Sequence, residues 1–223
     1  MANSTALVVV DVQNDFLPGG SLAAPNGNDI LPVIYDLLDH HSQFPLVVAS
    51  VVSVHDHPQG HISFASTHNA EPFSTINVPI PLSDETYQQI MWPDHCIQGS
   101  EGCELESGLQ RRLKELGGKV KYIHKGGDEK IDSYSAFADN RYTKFTPLAQ
   151  HLHANHISDI VIVGVVTELC VRATAIDARK FGFGVKIVRE GVAAAKPEAS
   201  EGTFSELAQW GCQIVSADEV KLS

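Results

Sequence analysis

The chain has 223 residues, of which 43% are hydrophobic and 19% charged, a balance that excludes an intrinsically disordered protein and suffices for one domain with a full core. Its formal net charge of −11, without any basic run, excludes phosphate-backbone binding as the main task, so no nucleic-acid partner is expected. No segment approaches the roughly 20 apolar residues of a membrane span, so no membrane partner is expected. No basic n-region of a signal peptide precedes Ala6, which predicts a cytoplasmic protein, or a nuclear one in a eukaryote.

Six short runs rich in β-branched residues predict strands, and because they are apolar throughout, the strands should be covered on both faces. Helical periodicity lies between them. Strands that alternate with helices imply right-handed crossovers. The expected fold class is therefore α/β: a doubly wound, six-stranded, mostly parallel sheet with helices on both faces, as a single domain over residues 1–223. The predicted strands are Ala6–Val10, Leu46–Val52, Val120–Ile123, Ile160–Val163, Val185–Val188 and Cys212–Val215, and the predicted helices are Asn28–His41, Leu105–Leu116, Pro147–Asn155, Thr167–Phe181 and Glu198–Gln209.

One long stretch interrupts this alternation. The segment from His57 to Gly102 contains several prolines and shows little strand or helix periodicity. A long segment of this kind predicts a functional loop region instead of a second domain.

Three chemically capable residues follow separate predicted strands. Asp11 and Lys125 come directly after two strands, and Cys170 lies near the start of the helix after a third. Taken singly, they are consistent with a turn-forming carboxylate, a solvated lysine and a small buried hydrophobe. The carboxyl ends of parallel strands share one rim, so we expect the three side chains to meet. Together they suit cysteine acyl chemistry, with a carboxylate to take the thiol proton, an ammonium and helix amides to stabilise an acidic thiol, and backbone amides to bind an oxyanion.

The histidines form a second cluster. His55, His57 and His61 lie within seven residues, and His95 lies further along the same long segment. In an extended chain, residues two apart face the same side, so His55 and His57 are placed to share a metal ion. The ordinary alternative for each is a surface or hydrogen-bonded histidine.

The four cysteines are scattered and form no C-x-x-C motif. Without a secretory segment, this favours reduced thiols over a disulfide between Cys96 and Cys103.

Five segments, in order along nearly the whole chain, carry a resemblance to a known family. They are Val8–Phe16 with Pro18–Leu22, His57–Phe64, Trp92–Cys96 with Gly99, Lys125–Gly126 with Asp132–Phe137, and Gly164–Val171 with Thr174–Ala178. Each motif is weak alone, but five in sequence are highly specific. By these motifs the chain resembles the nicotinamidase/pyrazinamidase branch of the isochorismatase-like cysteine hydrolases.

The resemblance implies an enzyme that hydrolyses a small carboxamide through a thioester, typically nicotinamide, as a step in salvage of pyridine nucleotides. Cys170 would be the nucleophile, Asp11 the proton carrier and Lys125 the thiolate stabiliser. The alternatives are a sister amidohydrolase acting on another small amide and a non-catalytic binding relative. A homo-oligomer is compatible with these features.

The resemblance also implies an oxyanion hole from the amides of Val166 and Cys170 with a cis Val165–Val166 peptide, and a ring pocket lined by Phe16, Leu22, Trp92 and Tyr134.

The metal motif departs from the family pattern at one position. His55 stands where the family has an aspartate, and Asp56 follows it. We expect one divalent metal ion, held by His55, His57 and His95; zinc is expected first, with iron and manganese as alternatives. His61 is a weaker ligand candidate that acts through water or orders the loop. In the other arrangement Asp56 turns inward and restores a carboxylate ligand.

Overall fold

The computed structural model describes residues 4–53 and 60–221 of the chain. In these ranges the chain forms two sheets flanked by six α-helices. The strands are β1 (Thr5–Val10), β2 (Val47–Val52), β3 (Thr75–Pro79), β4 (Thr86–Ile90), β5 (Val120–Lys125), β6 (Asp159–Val165), β7 (Gly184–Ala193) and β8 (Gln213–Val215). The α-helices are α1 (Leu31–Asp39), α2 (Ser107–Leu116), α3 (Leu148–Ala154), α4 (Arg172–Lys180), α5 (Ser200–Gln209) and α6 (Ala217–Lys221).

The main sheet has six parallel strands in the order β5-β2-β1-β6-β7-β8. Strand β1 lies at its centre, and the chain moves outward to β2 and β5 on one side and to β6, β7 and β8 on the other. Crevices for ligands form at such a reversal of strand order, beyond the carboxyl ends of the strands. The predicted doubly wound α/β fold is confirmed.

Both faces of the central strand are covered, which explains its unbroken apolar sequence. Leu7 and Val9 pack into one core with α1 and α2, whereas Ala6, Val8 and Val10 pack into a second core with α3, α4 and α5. Successive side chains of a strand point to opposite faces, so burial on both sides requires an apolar residue at every position.

Strands β1 and β6 lie close together at Gly164, which pairs with Val10. This glycine has a φ of +123°, and a Cβ atom there would lie 2.1 Å from the carbonyl oxygen of Val10. Glycine alone allows this approach and this backbone conformation. The close approach places the segment after β6 directly beside the residue that follows β1.

The structure corrects the interpretation of the long segment after β2. Strands β3 and β4 form an antiparallel hairpin where no strand was predicted. Only Val78 on β3 and Gln89 on β4 are buried, and the other hairpin positions are exposed or half-buried. A hairpin that buries one residue per strand leaves almost no hydrophobic alternation in the sequence.

Three predicted helices begin in a different geometry, and a further helix was not predicted. The first and the fifth begin as 3-10 turns over Gly27–Ile30 and Pro197–Ala199, and the fourth begins as a π-helical turn over Thr167–Val171. Helix α6 was missed because it is only five residues long. All four cysteines are free thiols, as predicted. Within the described ranges, no helix is both long and apolar enough to cross a membrane.

Candidate active site

Asp11 is held at the carboxyl end of β1. Its side chain is fully buried, and its backbone takes a positive φ of 51°. Ser50 of β2 donates a 2.6 Å hydrogen bond from its Oγ to Asp11 Oδ1, and the amide of Asp11 donates to the Ser50 carbonyl oxygen at 3.3 Å. The carboxylate therefore has one oxygen held by the neighbouring strand and the other turned toward β5.

Lys125 ends β5 and reaches the same carboxylate. Its Nζ lies 2.7 Å from Asp11 Oδ2, and both side chains are inaccessible to solvent. The ammonium also donates to the carbonyl oxygen of Tyr134. Burial lowers the pKa of Lys125, but the Asp11 carboxylate and the Cys170 sulfur together outweigh it and hold that pKa above its ordinary value. Asp11 and Lys125 form a buried ion pair with the lysine protonated.

Cys170 completes the constellation from the π-helical turn after β6. The thiol is buried and lies within hydrogen-bonding reach of both Asp11 and Lys125. Burial raises the pKa of Cys170; the Lys125 ammonium opposes this rise, and the Asp11 carboxylate adds to it. The expectation of an acidic thiol is wrong for this arrangement. The structure brings the three predicted residues together with the thiol protonated at rest.

The raised pKa leads to a test by alkylation. Because the thiolate is the reactive form, we expect iodoacetamide labelling of native Cys170 to be slow at neutral pH and to keep increasing above about pH 9. Mass spectrometry of labelled peptides measures the rate at each pH. Cys212 serves as an internal control, since burial raises its pKa to about 11 without an ion pair beside it. A rate for Cys170 that levels off below about pH 8 would contradict a protonated resting thiol.

The segment that joins β6 to Cys170 has the backbone form that the resemblance implied. The peptide bond between Val165 and Val166 is cis. The carbonyl oxygen of Val166 accepts hydrogen bonds from the amides of Leu169 at 3.0 Å and Val171 at 3.2 Å. These two hydrogen bonds close the π-helical turn that contains Cys170.

The residues proposed for the ring pocket fall into two groups, one of which contacts the ion pair. Trp92 donates from Nε1 to the Tyr134 hydroxyl at 3.2 Å, and their rings meet edge to face with centroids 6.4 Å apart. Phe16 packs against the imidazole of His95, with the ring centroids 5.5 Å apart. Leu22 packs against the core cluster that contains Phe16. The carbonyl of Tyr134 accepts from Lys125, so the aromatic wall and the ion pair are directly connected.

The proposed metal ligands are only partly within the described residues. His55, Asp56 and His57 lie outside them. His95 Nδ1 donates to the Pro93 carbonyl at 2.8 Å, so its Nε2 holds the lone pair that a metal ion requires. His61 is buried, with Nδ1 at 2.8 Å from Ser63 Oγ, and the backbone of Asp128 lies within hydrogen-bonding reach of its ring.

Both described imidazoles suit a metal site. Burial lowers the pKa of His61 and of His95, so both rings are neutral at physiological pH, and the neutral ring is the form that binds metals. With the proton on Nδ1, each ring keeps on Nε2 a lone pair that can bind a metal ion. The donor chemistry therefore fits a divalent metal beside the pocket.

Sequence reasoning missed three polar residues that support these groups. Ser50 orients Asp11, and its polar side chain inside an otherwise apolar strand was a signal. The Gln13 carboxamide donates to the Val52 carbonyl at 2.7 Å and accepts from the Val52 amide at 2.8 Å, which links the residue after β1 to the end of β2. Its signal was its place in the first of the five motif segments. Gln89 had no signal, because its hairpin was not predicted.

Comparison with known proteins gives a consistent result. The family model described as "Isochorismatase domain" matches residues 5–219. The nicotinamidase of Acinetobacter baylyi is 37% identical over 98% of this chain and 95% of its own length. The yeast nicotinamidase bound to the inhibitor nicotinaldehyde superposes with a TM-score of 0.88 at 31% identity, covering 95% of this chain and 99% of that one. A Pyrococcus horikoshii pyrazinamidase in complex with zinc has a TM-score of 0.74 at 32% identity, over 96% of this chain and 99% of that one.

Proposed function

The chain belongs to the isochorismatase domain family, in its nicotinamidase/pyrazinamidase branch, and on that premise we propose that it hydrolyses nicotinamide to nicotinate and ammonia. It is an amidohydrolase acting on a carboxamide C–N bond. The observation that carries the proposal is the buried Asp11–Lys125 ion pair with the Cys170 thiol against it. These are the groups that acyl transfer through sulfur requires.

In the first half-reaction, Cys170 Sγ attacks the carboxamide carbon while Asp11 accepts the thiol proton. The thiol is protonated at rest, so this proton transfer accompanies the attack. Lys125 stabilises the negative charge that develops on sulfur. The amides of Val166 and Cys170 would bind the oxyanion of the tetrahedral adduct. As the C–N bond breaks, Asp11 returns the proton to the leaving nitrogen, and ammonia departs from a thioester on Cys170.

In the second half-reaction, water replaces sulfur at the acyl carbon. Asp11 takes a proton from the attacking water and returns it to Cys170 as the thioester breaks. The carboxylic acid leaves, and the thiol is again protonated beside the ion pair. Ser50 holds Asp11 Oδ1 at 2.6 Å throughout, which leaves Oδ2 for the transfers.

The ring pocket and the metal site would orient the amide. Phe16 and Trp92 would hold the ring between them, with Leu22 and Tyr134 as further walls. His95, together with His55 and His57, would hold one divalent metal ion, with zinc the first candidate, and His61 or Asp56 in supporting roles. When bound, this ion would supply a Lewis acid for the ring nitrogen of the substrate.

Ammonia release from a panel of small amides tests the function. We expect nicotinamide and pyrazinamide to be hydrolysed far faster than benzamide, which lacks the ring nitrogen. Chelator treatment should lower the rate with nicotinamide, and added zinc should restore it.

Equal rates with benzamide and nicotinamide, before and after chelation, would instead favour a sister amidohydrolase. No ammonia from any amide would favour a binding relative. Retention of Asp11, Lys125 and Cys170 argues against that second outcome.

A further inference from the structure

The carboxylate of Asp15 joins two loops that are distant in sequence. Asp15 lies directly before Phe16, in the loop that follows β1. Its Oδ1 accepts a hydrogen bond from the Ser21 amide at 3.3 Å, within the same loop. Its Oδ2 accepts from the Cys96 amide at 2.7 Å, 81 residues away in the chain. The first bond closes a turn, whereas the second ties this loop to the segment Trp92–Cys96.

The backbone of Asp15 fixes a further part of the ring pocket. Its carbonyl oxygen accepts a hydrogen bond from the Leu22 amide at 2.9 Å. Asp15 is therefore connected to both sides of the pocket: to Phe16 as its neighbour in sequence, to Leu22 through its carbonyl, and to the segment Trp92–Cys96 through its carboxylate. The two loops meet at the pocket itself, where the ring centroids of Phe16 and His95 lie 5.5 Å apart.

The bond from Cys96 to Asp15 holds an unfavourable backbone conformation. Cys96 has a φ of +50°, in the left-handed region that residues with a Cβ atom seldom adopt. A charged acceptor makes a stronger hydrogen bond than a neutral one, and Asp15 supplies such an acceptor to this amide. Since Cys96 ends the segment that carries Trp92 and His95, its conformation decides how that segment turns. Losing the bond should release the segment at this residue.

The surroundings of Asp15 leave its carboxylate little freedom. A Cβ atom on Gly102 would lie 2.2 Å from Asp15 Oδ2, so glycine at this position leaves room for the carboxylate. A second cross-link lies beside the first, because Ser21 Oγ donates to the Asp94 carbonyl at 2.8 Å. Both cross-links join the same two loops. Their separation is therefore set by specific hydrogen bonds as well as by packing.

We propose that Asp15 is a positioning residue that fixes the separation between Phe16 and Trp92, and thereby the fit of a planar aromatic amide. This inference rests on the ring pocket of the proposed function. Within the described residues, the hydrogen bonds of Asp15 all go to the two loops. Asp15 therefore acts on binding of the ring, and the reaction at Cys170 should keep its rate once the ring is bound.

Steady-state ammonia release from nicotinamide by the full chain tests the proposal. Asp15→Asn keeps the shape of the side chain but has one acceptor oxygen instead of two, so one of the two amides loses its partner. We expect KM to rise about 10-fold or more, because hydrogen bonds to charged groups are strong, while kcat stays within about threefold of wild type. A general loss of folded protein would instead lower kcat. Thermal unfolding followed by circular dichroism checks that each variant is folded at the assay temperature.

Two further variants disturb the same cross-links without changing any charge. In Gly102→Ala, the added methyl group would take the place of Asp15 Oδ2 and displace the carboxylate. It should raise KM in the same way as Asp15→Asn. Ser21→Ala removes the exposed hydroxyl that donates to Asp94 and should raise KM by a smaller factor, since a neutral hydrogen bond is weaker.

Asp94→Asn is the matched control. The Asp94 carboxylate is exposed and accepts from Ser66 Oγ at 2.6 Å, whereas the Asp94 carbonyl, to which Ser21 donates, is unchanged by the substitution. Asparagine can still accept from Ser66. Both KM and kcat should stay at their wild-type values.

An unchanged KM in folded Asp15→Asn overturns the proposal. A fall in kcat of about 10-fold at constant KM also overturns it, since Asp15 would then act on the chemical step. If Asp15→Asn does not fold, a wild-type KM in both Gly102→Ala and Ser21→Ala has the same meaning. A wild-type chain that releases no ammonia from nicotinamide overturns the proposed function together with this inference, whereas normal wild-type turnover with unchanged variants overturns the inference alone.

Discussion

Cys170→Ala is expected to abolish ammonia release, with a loss of about 1000-fold or more in kcat. Sulfur is the nucleophile in the proposed reaction, and a Cys170→Ser hydroxyl would lack an imidazole base to activate it. The fold should survive, because alanine fits the space of a small buried thiol. Steady-state ammonia release with circular dichroism measures both effects. In the wild type, mass spectrometry of acid-quenched enzyme should detect the acyl group on Cys170.

A matched variant is available at Cys212, which belongs to the same hydrophobic core as Cys170. Cys212→Ala removes a thiol that is also buried, at 5% exposure, but lies in the core beneath α5 and has no ion pair beside it. It should keep wild-type kcat. Ammonia release above a few per cent of wild type in Cys170→Ala would refute the thioester mechanism.

Lys125→Met is expected to cost both activity and stability. It leaves the Asp11 carboxylate buried with the Ser50 hydroxyl and the Cys170 thiol as its neighbours, and no cation. Breaking a buried ion pair from one side costs about 3–5 kcal/mol in free energy of unfolding, because an uncompensated charge remains. The activity should fall with it, since the developing thiolate loses its cation. Urea unfolding and ammonia release measure the two losses.

The double variant Asp11→Asn with Lys125→Met separates the two effects. Removing both charges should recover most of the lost stability, while activity stays absent because the proton carrier is gone. Glu201→Gln is the exposed-pair control and should change the free energy of unfolding by about 1 kcal/mol or less, since Arg189 and Glu201 are 48% and 76% exposed. A Lys125→Met protein as stable as wild type would contradict a charged buried pair.

The main architecture was determined by the sequence alone. The apolar runs of β1 and β6 predicted parallel strands because a strand covered on both faces requires an apolar residue at every position. Residues that end such strands must share a rim, so the meeting of Asp11, Lys125 and Cys170 was predictable from topology. The order of the motifs predicted the branch of the family.

The electrostatic state of the site was decided by the tertiary structure. Helix position and a neighbouring lysine suggested an acidic Cys170, but burial beneath distant segments raises its pKa. Hairpin β3–β4 was not predictable from periodicity, and it delivers Gln89 to Asp132. Desolvation and ion pairing set the pKa of a buried group, and both depend on packing between segments far apart in the chain. The burial of a strand, by contrast, can be predicted from the apolar residues of the strand itself.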